Sequence, residues 1–270
     1  MNTVSAFLCP SHGMGLSSCS DRLAVSSSCG RFCVADGVSG SHLGGLWAGL
    51  LCLDFVTEKA PATQWAQDVD DERKCVLTEL WEEDCEEMES SCPQEHLRRL
   101  LRTRAYYGHG ASTMAGVTMS DGLLHYSIIG DSCLWLKNMD GEVRCLPAGI
   151  DITDISEAVT SDWCFFPSPD RGSIPLEDGS VIVLATDALS DWIGRLTSAG
   201  VDAIGMLAGL ESKEDFLALV TCYRDAPEAQ RLKDDDVGVI IIRMDDSSDM
   251  RCEVSHVDRA VRLDAPLEIL

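Results

Sequence analysis

Arg31-Phe32-Cys33-Val34-Ala35 is a compact apolar run that stops at Asp36-Gly37. Consecutive apolar residues without polar alternation read as a short strand covered on both faces. An acid closing such a strand sits at the rim of the core and points in a fixed direction. The pattern recurs along the chain. Leu123–Ile129 returns from a turn and ends at Gly130-Asp131, and Ser180-Val181-Ile182-Val183-Leu184-Ala185-Thr186 ends at Asp187. Asp234-Asp235-Asp236 runs straight into the apolar Val237-Gly238-Val239-Ile240-Ile241-Ile242.

Around these strands the punctuation is that of hairpins. Asp121-Gly122 separates residues 112–119 from 123–129, and Asp140-Gly141 separates 133–136 from 143–146, both strong turn signals. A short strand, Leu23-Ala24-Val25, is expected within a Ser-, Gly- and Cys-rich stretch. Helices are expected over residues 46–56, over the acidic segment 66–91 with Val76, Leu77, Leu80 and Trp81 at helical spacing, and after Pro93. Residues 147–175 read as irregular, and two more helices are expected near 201–210 and 213–223. After Asp245 one further strand and a loose end are expected. Hairpins interrupted by helical blocks give an α+β class, with sheets packed together and helices outside. No repeat or linker divides the chain, so residues 1–270 read as a single domain.

The balance of 21 Lys+Arg against 45 Asp+Glu, a formal charge of −24, repels phosphate backbones and anionic lipid and excludes nucleic-acid and membrane-surface binding as expectations. Most of these acids form a solvated surface. A hydrophobic fraction of 45% is too high for a disordered chain of this charge. The 13 cysteines include no CxxC pair and no metal-ligand spacing, and several lie inside apolar runs, so buried thiols in a reducing cytoplasm are expected. The first residues lack the basic start and long apolar stretch of a signal peptide, and the longest uncharged apolar run is too short to span a bilayer.

One acid after one strand is commonly a turn former or a helix cap. Several at one sheet end would raise each other's pKa unless a cation neutralised them. Hard oxygen donors in this number suit Mg²⁺ or Mn²⁺, and a pair of such ions can clamp phosphoryl oxygens and acidify a water. No nucleophile motif competes: GxSxG is absent and the six histidines are scattered. Gly108-His109-Gly110-Ala111-Ser112-Thr113 lacks the lysine of a phosphate-binding loop and runs into a strand.

From about residue 15 to 245 the chain resembles the type 2C, or PPM-type, metal-dependent serine/threonine protein phosphatases in their compact bacterial form. Val34-Ala35-Asp36-Gly37-Val38-Ser39-Gly40 is similar to the strand whose Asp bridges two metals and whose Gly carbonyl binds one. Gly110-Ala111-Ser112-Thr113 is similar to the family's Gly-Ser-Thr strand start, and Ile129-Gly130-Asp131-Ser132 to its Gly-Asp-Ser element near a third, weaker metal position. Thr186-Asp187-Ala188-Leu189-Ser190-Asp191 resembles the Ser-Asp-Gly-Leu-x-Asp segment, which makes Asp187 a ligand and assigns Asp191 to the third position. Asp235-Asp236-Val237-Gly238 resembles the closing Asp-Asn-x-Thr motif, with Asp235 the ligand and the register open by one.

The resemblance implies a two-sheet antiparallel β-sandwich with helices on both outer faces, two Mg²⁺ or Mn²⁺ ions and a third position, and direct attack by a metal-bridged hydroxide on phosphoserine or phosphothreonine. The implied ligands are Asp21, Asp36, Gly37, Asp131, Asp187, Asp191 and Asp235, with Asp36 and Asp187 catalytic. The implied partners are a phosphorylated protein and a cognate serine/threonine kinase. The chain also departs from the pattern. Where the family carries an acidic pair preceded by a phosphate-gripping Arg, Cys19-Ser20-Asp21 offers one acid and no Arg, leaving Arg22 or Arg31 as substitutes; Ala188 and Gly238 replace the usual Gly and Thr. A pseudophosphatase binding module with impaired turnover is the alternative these departures raise.

Overall fold

The computed structural model describes residues 1–57, 61–68, 71–149, 157–246, 252–257 and 262–263. One six-stranded sheet runs through β13 (Glu253–Val257), β1 (Thr3–Cys9), β12 (Val237–Arg243), β11 (Val181–Ala185), β7 (Cys133–Lys137) and β8 (Val143–Leu146). The other runs through β10 (Asp170–Pro175), β6 (Leu123–Ile129), β5 (Met114–Ser120), β3 (Arg31–Asp36), β2 (Asp21–Ser26) and β14 (Arg262–Leu263). A small ladder joins β4 (Ala111–Ser112) to β9 (Val159–Thr160). Pairing is antiparallel except where β13 joins β1 and β14 joins β2.

Strand side chains alternate between two buried layers, which is why the sequence shows continuous apolar runs. Ile240 and Ile242 of β12, Ile182 and Leu184 of β11, and Phe32 and Val34 of β3 face the core between the sheets. Val239, Ile241, Val183 and Ala185 face outward, under α5 (Asp187–Ser198), α6 (Ala203–Ala208) and α7 (Lys213–Arg224). On the opposite face, Cys33 and Ala35 of β3 pack under α1 (Gly44–Thr57) together with Trp47, Leu51 and Phe55. The result is the expected α+β sandwich with helices on both outer faces.

Several elements differ from expectation. β1 was not anticipated, because its strand partner β12 lies at the other end of the chain, Thr3 opposite Arg243. The segment after Asp187 forms a helix whose Ala188, Leu189, Trp192 and Ile193 are buried. Residues 170–175, expected to be irregular, form an edge strand of alternating exposure whose Gly172 and Pro175 hide its character. The acidic segment holds two helices, α2 (Ala62–Asp68) and α3 (Asp71–Ser91), and its apolar stripe is narrower than expected. Leu77, Trp81 and Cys85 are buried, while Val76 and Leu80 are exposed. α4 (Glu95–Tyr107) follows, tied to α3 by an Arg102–Glu89 ion pair. The expected strand after Asp245 is β13; the loose end falls largely on residues outside the described ones.

Candidate functional site

Two sheets bring their acid-bearing ends to the same end of the sandwich. On β2 and β3, Asp21 and Asp36 are direct partners across the antiparallel ladder. On the facing sheet, Ala185 pairs with both Cys133 and Val239, so Asp187, Asp131 and the segment before Val237 converge from three neighbouring strands. Exposure is graded: Asp21 and Asp131 are buried, Asp36 and Asp187 half-buried, and Asp235 exposed. The cluster is therefore closed at its base and open to solvent at Asp235.

The electrostatics follow from this crowding. Burial, then the charges of Asp187, Asp131 and Asp235, push the Asp36 carboxyl up to about 8, opposed by a hydrogen bond with Asp21. Asp187 is pushed up to about 6 by burial and by Asp131 and Asp235, with opposing help from the Ala188 N–H and Lys233. Asp21 lies well above the ordinary carboxylate range through burial and the Asp36 charge, held back by a hydrogen bond from Thr186. Charge from five separate segments thus meets in one field.

Local geometry explains two of the glycines. A Cβ on Gly37 would lie 2.4 Å from both Gly44 C and Gly45 N, so only glycine lets the chain turn from β3 past the start of α1. The Asp36 carbonyl behind it accepts from Thr113 N at 2.9 Å and Ser112 Oγ at 2.8 Å. Gly238 admits Thr186 beside Asp21, a contact taken up below. Within the 234–236 run the three acids differ. Asp236 accepts from Ser11 N at 2.8 Å and Ser20 N at 2.6 Å, and Asp234 accepts from His12 N at 2.7 Å. These two brace the 11–20 loop, and the charges divide over the cluster, Asp235 acting on Asp36 and Asp187 and Asp236 on Asp21.

Asp191 stands one helical turn beyond Asp187 and is ion-paired with Arg195, Nε to Oδ2 at 3.0 Å. Arg22 and Arg31 both turn toward backbone carbonyls. Arg22 Nη1 donates to the carbonyls of Cys19 and Asp21, the latter at 2.7 Å. Arg31, buried at the far end of β3 from Asp36, donates through Nε and Nη2 to the Phe55 carbonyl at 3.0 and 2.7 Å and lies over the Phe55 ring. Both guanidiniums serve carbonyls left free at loop and helix ends. Thr186, Lys233 and Arg224 were not singled out by sequence. Arg224 reaches the Pro10 carbonyl at 3.0 Å and the Asp235 carbonyl, fixing the rim of the site.

Among the described residues, no three His, Cys, Asp or Glu side chains stand in a ready metal-binding arrangement. The carboxylates share a field and not one coordination point. Their chemistry nevertheless fits hard divalent cations, being all oxygen, partly buried and mutually repelling.

No protein-family model matches the sequence, and no curated protein matches it. Solved structures do. The Mycobacterium tuberculosis serine/threonine phosphatase PstP/Ppp superposes with a TM-score of 0.57 at 16% identity, covering 91% of this chain and 99% of its own. The fold is that of the bacterial serine/threonine phosphatases. The S. agalactiae serine/threonine phosphatase shares it with a TM-score of 0.55 at 16% identity, covering 90% of this chain and 100% of its own. So does the catalytic domain of PstP solved in complex with two manganese ions, with a TM-score of 0.55 at 16% identity, covering 91% and 100%. In this phosphatase fold, no helix among the described residues is long and apolar enough to cross a membrane.

Proposed function

We propose that this chain is a single-domain, Mg²⁺- or Mn²⁺-dependent protein phosphatase acting on phosphoserine and phosphothreonine. The observation that carries the reading is the cluster of Asp21, Asp36, Asp131, Asp187 and Asp235, gathered from separate segments with the first, second and fourth held above the ordinary carboxylate range. A fold that buries acids against each other accepts an electrostatic cost that divalent cations would relieve. Asp36, Asp187, the Gly37 carbonyl, Asp21 and Asp235 would hold two ions, and Asp131 with Asp191 a third. When bound, such ions supply Lewis acidity toward phosphoryl oxygens and toward an attacking water.

The chain's own residues do the rest. Asp36 and Asp187, on rigid strand ends, orient the charge that faces the substrate. Exposed Asp235 marks the mouth, where a protruding phosphorylated side chain would meet the cluster. Lys233, whose charge acts on Asp187, favours an anion there. Phosphomonoester hydrolysis is among the slowest uncatalysed reactions, so positioning and charge neutralisation must supply most of the rate. The partners are a phosphorylated protein and a cognate serine/threonine kinase. Thirteen free cysteines favour a cytoplasmic setting.

Mn²⁺-dependent hydrolysis of an aryl phosphate and of phosphopeptides, abolished by chelator, tests the reading; turnover that persists in excess chelator overturns it. A second reading, a pseudophosphatase, is favoured by one observation. Arg22 and Arg31 both donate to backbone carbonyls, Arg31 at the far end of β3 from Asp36. Saturable Mn²⁺ binding with no turnover on phosphopeptides would select it.

A further inference from the structure

We propose that Thr186 is a positioning residue for the acidic site, setting the orientation in which the Asp21 carboxylate is presented to the other acids. The inference rests on the reading that this cluster holds divalent ions.

Thr186 occupies the N-cap position of α5, with extended backbone (φ −71°, ψ 170°), yet its side chain makes no capping hydrogen bond. Threonine at this position ordinarily accepts from a helix N–H. Here the hydroxyl is fully buried and turned elsewhere. Its oxygen accepts the Gly238 N–H of β12 at 2.9 Å, and it donates to Asp21 Oδ2 of β2 at 2.7 Å. The Gly238 carbonyl, at 3.4 Å, is a longer alternative acceptor. With the oxygen engaged by an N–H, the single hydroxyl proton is directed at Oδ2, which is thereby committed as an acceptor. That bond pins one end of the carboxylate and so sets how Asp21 is presented to the rest of the cluster, Asp36 included.

The link crosses the sandwich, since β2 belongs to one sheet and β11, β12 and the start of α5 to the other. Gly238 leaves room around it. A Cβ there would lie 3.3 Å from Thr186 Cγ2, 3.4 Å from Asp21 Oδ2 and 3.1 Å from Leu23 Cδ2. Absence of a side chain at 238 and presence of a hydroxyl at 186 are therefore two halves of one arrangement. Asp21 is the most enclosed acid of the cluster and cannot reorient into water, so its carboxylate plane is fixed by what it bonds. Groups that orient a metal-ligating carboxylate typically govern affinity by about 10- to 100-fold.

The test compares Thr186→Val, which keeps shape and removes the donor, with Thr186→Ser, which keeps the donor. Mn²⁺ binding to the metal-stripped full chain is read by calorimetry, folding by circular dichroism, and turnover on a phosphopeptide as kcat and KM separately. Thr186→Val is expected to fold and to lose about 10-fold or more in Mn²⁺ affinity at one site. Its kcat should fall while KM for the peptide stays near wild type. Thr186→Ser is expected within about threefold of wild type, because the donor that orients the carboxylate is kept. Wild-type Mn²⁺ affinity in Thr186→Val, or equal losses in both variants, overturns the proposal. Should Thr186→Val fail to fold, Thr186→Ala removes the same donor and should weaken Mn²⁺ binding; unchanged affinity there overturns it too. Wild-type protein that binds Mn²⁺ without turnover defeats the phosphatase reading while the binding comparison still decides Thr186. Wild-type protein that binds no Mn²⁺ defeats both.

Discussion

At one end of the sandwich, Asp36-Gly37 closes β3; at the other, Asp121-Gly122 joins β5 to β6. The dipeptide is the same and the surroundings are opposite. Asp121 and Gly122 both adopt positive φ, 52° and 74°, in a two-residue hairpin open to solvent, and nothing lies within 4 Å of where a Cβ on Gly122 would stand. That is the turn chemistry the dipeptide favours anywhere. Asp36 instead lies among four other acids, and Gly37 is pressed against the backbone of Gly44 and Gly45. What separates a turn from a candidate catalytic element is enclosure, and the letters alone do not carry it.

The sharpest way to break this contrast is at the acids. Asp36→Asn or Asp187→Ala is expected to lower Mn²⁺-dependent hydrolysis of an aryl phosphate by about 100-fold or more, with the fold retained by circular dichroism. Survival of activity in either variant would place the two ends on a par. Next comes pH. Asp21, Asp36 and Asp187 have folded-state values above the ordinary 3.8, reaching about 8 at Asp36. Across that interval the folded chain holds protons that the unfolded chain has released. In metal-free protein these groups should therefore cost stability as pH rises from about 4 to about 8, and Mn²⁺ at a hundred times its dissociation constant should restore about 2.7 kcal/mol. Denaturant titrations across pH, with and without Mn²⁺, read both trends. A metal-free protein that gains stability over this interval would contradict the cluster.

Gly37→Ala places a methyl 2.4 Å from backbone atoms that cannot rotate away and should cost about 1–3 kcal/mol or more in a denaturant melt. Gly122→Ala meets no atoms and should cost only the strain of its positive φ, about 1 kcal/mol. Asp121→Asn keeps a turn-forming side chain at an exposed site and should stay within about 0.5 kcal/mol, with hydrolysis unchanged. Equal penalties at the two glycines would remove the distinction.

The same contrast explains what was legible beforehand. Strands such as β3, β11 and β12 announced themselves because both their faces are buried, leaving apolar runs with acids at the ends. The hairpin at Asp121-Gly122 was readable because its chemistry is local. β1 was missed because what makes it a strand is its partner β12, distant in sequence. α5 is hard to read in the sequence because it begins at Asp187, on the end of an apolar strand, with no loop between them. Within the site, Asp36, Asp131, Asp187 and the 234–236 run stood out by position, whereas Asp21 entered only through family resemblance. How the three neighbouring acids divide between bracing the 11–20 loop and acting on the cluster depends on the amides of Ser11, His12 and Ser20, and no spacing rule shows that. Sequence likewise cannot tell which way a guanidinium turns, and Arg22 and Arg31 turned toward carbonyls.

The pairing of Thr3 with Arg243 has a bearing on how the molecule comes into being. During synthesis β1 leaves the ribosome well before β12, so that strand must wait for a partner made much later. Asp21 and Asp36 are synthesised early, while Asp235 arrives just ahead of β12. The acids therefore cannot crowd together until β12 is out, and a product halted before it would carry the earlier carboxylates without the company that distinguishes them from ordinary surface charge.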